Sequence, residues 1–249
     1  MTPVKVRVHL PVADRDVSPQ RITEVAREAE RLGLDSVWVW ERLLRPTEPI
    51  AMGGAGGPVM EAPEQFGRVF DPLDALAYVA ATTSTVALGT SVLDTLFHAP
   101  VVLARRLATV DRLSGGRLLA GIGQGWMEHE FVAAGVPMSR RGAGFEEHVR
   151  AMQAVWGPDP VRFEGRFYRI PEAEIGPKPV RPGRSDAPDR RRVPDCHRAR
   201  RAPRRRADPG HLRLGLDRSH DRGVPFGRHR GRARPRDPSD RAAGEREPG

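Results

Sequence analysis

Three short stretches carry residue types that could meet a ligand. Trp40-Glu41-Arg42 sets a carboxylate beside a guanidinium at the end of an alternating apolar run. A carboxylate so placed can position a substrate or exchange a proton with it. Taken on residues alone, Glu41 reads more simply as a salt-bridged carboxylate on a rim. Arg42 is no proton donor near neutral pH, but it could hold an anionic or carbonyl group. Gly89-Thr90-Ser91-Val92 ends a second run, and Gly121-Ile122-Gly123-Gln124-Gly125-Trp126 ends a third. Glycines let the backbone approach a ligand closely, and their amides can meet a polar tail or phosphate. An ordinary strand end and a tight turn explain the same residues. Trp126 could wall an apolar pocket, whereas Trp38 and Trp40 alternate on one strand face and packing accounts for both. His98 precedes a helix and either faces a pocket or caps that helix. His129 and His148 sit in helical text as surface or packing residues. No His/Asp/Glu spacing argues for a metal, and the single cysteine, Cys196, excludes an internal disulfide.

The elements that must position these residues alternate in kind. Val4–Leu10 has the period of a strand. Ser18 and Pro19 then offer an N-cap and a first helical proline, with Ile22, Val25, Ala26, Ala29 and Leu32 at helical spacing and Gly33 as the stop. Asp35–Trp40 is a second strand, Asp71-Pro72 opens a second helix, and Val86–Leu93 is a third strand. Pro100 opens a third helix that Gly115-Gly116 stops, Arg117–Gly123 is a fourth strand, and a long helix follows around Gly144–Trp156. Val161–Ile170 alternates about Glu164-Gly165, which predicts a β-hairpin. Strand–helix alternation implies a parallel sheet covered by helices, open or closed into a barrel. The pace is that of a (β/α)8 barrel of about 250 residues, whose active site lies at the C-terminal strand ends. All three ligand-competent stretches fall at such ends.

Only four strands are legible, because the chain changes character near residue 181. Of the net charge of +9, residues 1–180 contribute −2 and residues 181–249 contribute +11. That second segment has 21 arginines and few large apolar residues, too few to offset the entropy of ordering it. It is expected to be a disordered, low-complexity basic tail after a barrel half at 1–180. No apolar run is long enough to span a membrane, and the N-terminus lacks a signal-peptide core, so a cytoplasmic protein is expected.

Asp35–Pro46 (DSVWVWERLLRP), Leu88–Leu93 (LGTSVL), His98–Trp126 and Ile175–Gly183 (IGPKPVRPG) together resemble the luciferase-like monooxygenase family, in particular its branch using the deazaflavin coenzyme F420. The resemblance covers about residues 4–183. It implies an α/β fold, the N-terminal half of a (β/α)8 TIM barrel, in a family that often dimerises. It implies hydride transfer between F420 and a small organic substrate, with FMN-dependent oxygenation as the alternative on the same barrel. It implies catalytic roles for Glu41 and Arg42, cofactor contacts from Thr90, Ser91, Val92, Gly123, Gln124 and Gly125, and a substrate pocket formed by Trp40, Trp126 and His98. Several deazaflavin-dependent relatives place a non-proline cis peptide at the step matching Ser91–Val92. Two departures matter. Relatives often follow the acid at position 41 with histidine, where this chain has Arg42. Sugar-phosphate-oxidising relatives carry an acid at the position of Trp126.

The resemblance ends where the arginine text begins, and the tail has the composition of a GC-rich gene read out of frame. Degenerate codons for Gly183–Val193, moved forward by one nucleotide, permit Gly-Gly-Pro-Thr-Leu-Leu-Ile-Gly-Gly-Gly: a strand followed by a glycine turn, as the resemblance implies. A frameshift near Pro182–Arg184 is therefore expected, leaving the chain as written inactive. The contrasting reading is an arginine-rich arm that binds nucleic acid with steep salt dependence. The frameshift reading expects no specific nucleic-acid partner.

Overall fold

The computed structural model describes residues 5–13 and 15–180, together with the backbone of 214–216. The first barrel strand, β1 (Arg7–His9), leads to α1 (Pro19–Arg31), where the Ser18 hydroxyl accepts from the Arg21 amide at 3.1 Å. β2 (Ser36–Val39) follows. An excursion from the barrel then holds the small antiparallel pair β3 (Ile50–Ala51) and β4 (Val59–Met60) and a 3-10 turn at Glu64–Gly67. The Asp71 carboxylate caps α2 (Pro72–Ala80) by accepting from the Leu73 and Asp74 amides. Next come β5 (Ala87–Thr90), the short β6 (Leu93–Asp94), a 3-10 turn at Thr95–Phe97, α3 (Pro100–Leu113) and β7 (Leu118–Gly123). The remaining elements are α4 (Glu128–Ala133), a 3-10 turn at Met138–Arg140, α5 (Ala143–Trp156), the hairpin β8 (Val161–Glu164) and β9 (Arg169–Ala173), and β10 (Leu214–Leu216).

The main sheet is parallel in the order β1-β2-β5-β7-β10, with β6 pairing the end of β7. Val37 lies opposite Leu88 across β2 and β5, and Leu88 opposite Leu118 across β5 and β7. Each strand leads into a helix that returns over one face, which is the barrel arrangement the alternation predicts. Val37, Val39 and Leu88 bury that face against Leu76, Leu103, Leu107 and Met152. Burying such a side chain fully contributes about 1.5–3 kcal/mol. Trp156, also buried, ties α5 to α3 by donating its indole N–H to the Ala104 carbonyl at 2.9 Å.

Two features depart from expectation. The excursion between β2 and α2, with α4, was not legible as regular structure. Its apolar residues Ile50, Ala62 and Met127 form a separate small cluster with Leu44, Phe66 and Trp126 packed on it. The second concerns residues 181–249. The expected frameshift and disorder lie outside the described residues, except at β10, which pairs in parallel with β7, Leu214 opposite Ala120. The edge of a parallel sheet offers unmade backbone hydrogen bonds, which a short extended segment can satisfy whatever its surroundings in sequence. Among the described residues no helix is long and apolar enough to cross a membrane.

Candidate active site

The C-terminal ends of β2, β5 and β7 converge on a cavity of about 290 Å³. Its lining is Trp40, Glu41, Arg42, Ser91, Val92, Asp94, Gly123, Gln124, Gly125 and Trp126. All three stretches singled out in the sequence are therefore in one place. β2 and β5 end one residue before their contributions, Trp40 and Ser91, while β7 contributes its last residue, Gly123.

Glu41 is buried, and both of its oxygens are held. Oε2 accepts from the Asp94 amide at 2.7 Å, and Oε1 is 2.7 Å from the His98 Nε2. Arg42 extends from the next position between two rings, its guanidinium carbon 5.1 Å from the centroids of both Phe66 and Trp126. Its Nη1 pairs with Asp94 Oδ2 at 3.1 Å and Glu130 Oε2 at 3.3 Å, while its Nε is buried without a partner. Glu130 Oε1 accepts from the Leu43 amide at 2.8 Å. One guanidinium thus serves two buried acids, with a third alongside. Burial pushes the Asp94 carboxyl up to about 7; the Arg42 charge opposes this, and the neighbouring Glu41 and Glu130 add to it. Burial also raises Glu130, against the pull of Arg42 and the Leu43 amide.

Asp94 and Glu130 were not found in the sequence. Asp94 sits in the apolar run Val92–Phe97, and Glu130 reads as a surface acid of a short helix beside Glu128 and His129. Only the packing of α4 under the excursion buries it. Two expected site residues stand behind the cavity wall. The Thr90 hydroxyl is used up by β7, donating to the Gly121 carbonyl at 2.8 Å and accepting from the Gly121 amide at 2.9 Å. His98 does not line the cavity or cap α3, whose N-cap is Ala99 without a side-chain bond; its ring holds Glu41. Arg42, expected to hold an anionic or carbonyl group, spends its Nη1 on protein carboxylates. His148, expected as a surface or packing residue, is fully buried and donates Nε2–H to the His98 carbonyl at 2.9 Å. Burial lowers its imidazole to about 4, so it supports the His98 segment as a neutral ring. His129 is partly exposed and meets Glu48.

The glycines answer a question the sequence left open. A Cβ on Gly121 would strike the Thr90 carbonyl, and one on Gly123 would come within 2.7 Å of Val92 Cγ2 and 3.3 Å of Asp94 Oδ1. Gly125 has φ +73° and turns the chain against Phe97 and Phe131. The protein's own packing thus requires these glycines, and that packing leaves Val92 and the Gly123–Gly125 backbone as one wall. The Ser91–Val92 peptide is cis, the geometry the resemblance implies at that step. Val92, the glycine backbone, Trp40 and Trp126 fit the faces of a planar heterocycle, and Ser91, Asp94 and Gln124 fit its polar edge. Among the described residues no group of acids, histidines and cysteines could hold a metal.

Comparison with known proteins agrees with this arrangement. The sequence profile of the luciferase-like monooxygenase family matches residues 1–196, beyond Gly183 where the resemblance was read to end. The chain is similar to an F420-dependent glucose-6-phosphate dehydrogenase of Kineococcus radiotolerans, 36% identical over 169 residues, covering 66% of this chain and 45% of the relative. It is also similar to an FMNH(2)-dependent dimethylsulfone monooxygenase of Pseudomonas putida, 36% identical over 84 residues, covering 32% of this chain and 23% of that one. Among solved structures, the monooxygenase RslO1 from Streptomyces bottropensis superposes with a TM-score of 0.58 at 28% identity, over 71% of this chain and 50% of that one. This chain therefore spans less than two thirds of the length of the relatives it matches, between 23% and 59% of the curated ones.

Proposed function

From the premise that this chain belongs to the luciferase-like monooxygenase family, we propose that the strand-end cavity receives the ring of coenzyme F420 and serves hydride transfer to or from a small organic substrate. The observation that carries this reading is the joint placement of flat apolar walls and a buried cluster of acids around one guanidinium in one opening. When bound, the deazaflavin supplies the hydride chemistry; the protein supplies the pocket, the orientation and the electrostatics. Val92 and the Gly123–Gly125 backbone would bear on one ring face, with Trp40 and Trp126 shutting out water. Arg42 and Asp94 would meet polar atoms of ring or substrate, with Glu41, in the same lining, holding the Asp94 segment in place. FMN is the alternative on the same walls, supported by the similarity to the FMNH(2)-dependent relative.

The walls seen here come from the ends of β2, β5 and β7 and the loops that follow them. The chain as written is accordingly expected to bind the ring weakly and not to turn over substrate. Titrating the protein with F420 and, separately, with FMN, followed by coenzyme fluorescence, tests the assignment. Weak saturable binding of F420 in preference to FMN is the expected result. Preference for FMN would move the protein to the oxygenating reading, and failure of both to bind would remove the coenzyme reading altogether.

A further inference from the structure

The polar cluster contains three carboxyl groups, and their hydrogen bonding is unequal. Glu41 has one oxygen on the Asp94 amide and the other on His98. Glu130 has one on the Leu43 amide and the other on Arg42. Asp94 has Oδ2 on Arg42, while Oδ1 has no donor among the described residues. Asp94 lies in the cavity lining with only 3% of its surface exposed, and Oδ1 is beside the bare backbone of Gly123. It is therefore the acid with a free oxygen at the place where a ligand enters.

Charge points to the same residue. The groups facing Asp94 are Arg42 and Glu41 after β2 and Glu130 on α4, with His98 behind Glu41. Three carboxylates around one guanidinium in a low-dielectric site cannot all stay ionised, and the proton goes to the acid with fewest donors. Glu130 accepts the Leu43 amide, which favours its charged form, and Glu41 accepts the Asp94 amide; among the described residues no backbone amide donates to the Asp94 carboxyl.

We propose, building on the coenzyme-pocket reading above, that Asp94 is the ligand-contacting acid of this cavity, held as a carboxylic acid whose O–H is donated to an uncharged carbonyl oxygen, with Glu41 and Glu130 acting as positioning residues. The oxygen belongs either to the heterocycle or to a substrate ketone or aldehyde. The preferred ligand group is thus a neutral acceptor. An anion would face the unpaired lone pairs of the cluster, while the Nη1 of its one guanidinium is already shared between Asp94 and Glu130. Asp94 becomes ionised near neutral pH, about 7, so binding should weaken above it.

The test uses the whole chain and two probes, coenzyme F420 and cyclohexanone, each observed by saturation-transfer NMR, together with a carbon-13 titration of the Asp94 carboxyl in the ligand-free protein. The Asp94 signal should titrate near 7, and wild-type affinity should then fall about tenfold per pH unit above that point, as one-proton linkage requires. In Asp94→Asn the amide oxygen stays with Arg42 and the amide N–H replaces the acid proton, so binding should persist and lose its pH dependence. Asp94→Ala should bind about tenfold more weakly than Asp94→Asn at every pH, as expected for one lost hydrogen bond. Thermal melts of both variants report folding independently.

Loss of binding with rising pH for F420 alone would place the acceptor oxygen on the ring, and for cyclohexanone alone on the substrate. The second result with no F420 binding would sink the coenzyme reading while leaving the Asp94 assignment standing. A carboxyl that titrates in the ordinary aspartate range overturns the proposal. So do flat wild-type binding, equal weakness of the Asn and Ala variants, and absence of binding by either probe.

Discussion

Glu30 and Asp94 are acids at opposite ends of the same sheet, and their surroundings drive them in opposite directions. Glu30, in the last turn of α1, faces the strand beginnings. Its Oε1 accepts from the amides of Ser84, Thr85 and Val86 and from the Thr85 hydroxyl. Its carboxyl is lowered to about 2, because these backbone and hydroxyl donors outweigh the burial that acts against them. Asp94, facing the strand ends, is raised to about 7 by burial with Arg42 as its one side-chain partner. The lower end of the barrel is finished in other respects too. Arg117 there donates to the carbonyls of Ala80, Thr83 and Val86 and to the Thr83 hydroxyl, locking the turns that feed β5 and β7. At the upper end, among the described residues, the Arg42 Nε–H finds no acceptor and one Asp94 oxygen no donor. One end closes its polar groups on itself; the other leaves them open toward a cavity. That division is the one expected of barrels, in which one face serves stability and the other chemistry.

The division can be broken or sharpened by substitution. The largest effect is expected from Arg42→Met, which strands buried acids without their cation and should cost about 3–5 kcal/mol in chemical denaturation. Adding Asp94→Asn to that variant should recover part of the loss, because one of the stranded charges is removed. Next comes Glu30→Gln, which weakens several charge-assisted bonds at once and should cost about 2 kcal/mol. A loss at Arg42 smaller than that at Glu30 would mean that the upper cluster is neutralised by protons more than by its guanidinium. The Asp94→Asn variant alone should change stability at neutral pH by no more than about 1 kcal/mol.

The pH dependence of unfolding separates the two ends by sign. The folded Asp94 carboxyl is raised, so its contribution is full below its unfolded value of 3.8 and is lost as pH rises through about 7. The folded Glu30 carboxyl is lowered, so its contribution is present above 4.5 and is lost as pH falls through about 2. Denaturation midpoints measured against pH should therefore lose their neutral-side decline in Asp94→Asn and their acid-side decline in Glu30→Gln. His148 adds a second acid-side slope in a higher window, since the unfolded imidazole takes up its proton near 6.5 and the folded one only near 4. His148→Gln should flatten that window and leave the Glu30 decline in place.

Much of this was legible in sequence where a local rule acts. Ser18-Pro19, Asp71-Pro72 and Pro100 mark helix starts because their chemistry is confined to one turn, and α1, α2 and α3 begin there. The strand-end stretches were found because alternation stops where a strand stops. Asp94 and Glu130 were hidden because their character is not local. An aspartate among apolar residues and a glutamate in an acidic helix come to share one guanidinium only when β6, α4 and the end of β2 meet. His98 was placed near the site, but its partner was not, since nothing in the spacing from Glu41 links the two. The β3–β4 excursion escaped because its strands are two residues long, too short for any period to show.

Arg42 lies against the face of Trp126, and Trp126 is itself a wall of the cavity. The indole therefore serves as a native optical gauge. A planar molecule entering the opening changes the polarity around that ring and the cation beside it in one event, and the combined emission of Trp126 and Trp40, the other indole of the lining, registers its entry. Trp156, sealed in the core with its N–H on Ala104, stays dark to the same event and provides an internal reference within the same spectrum.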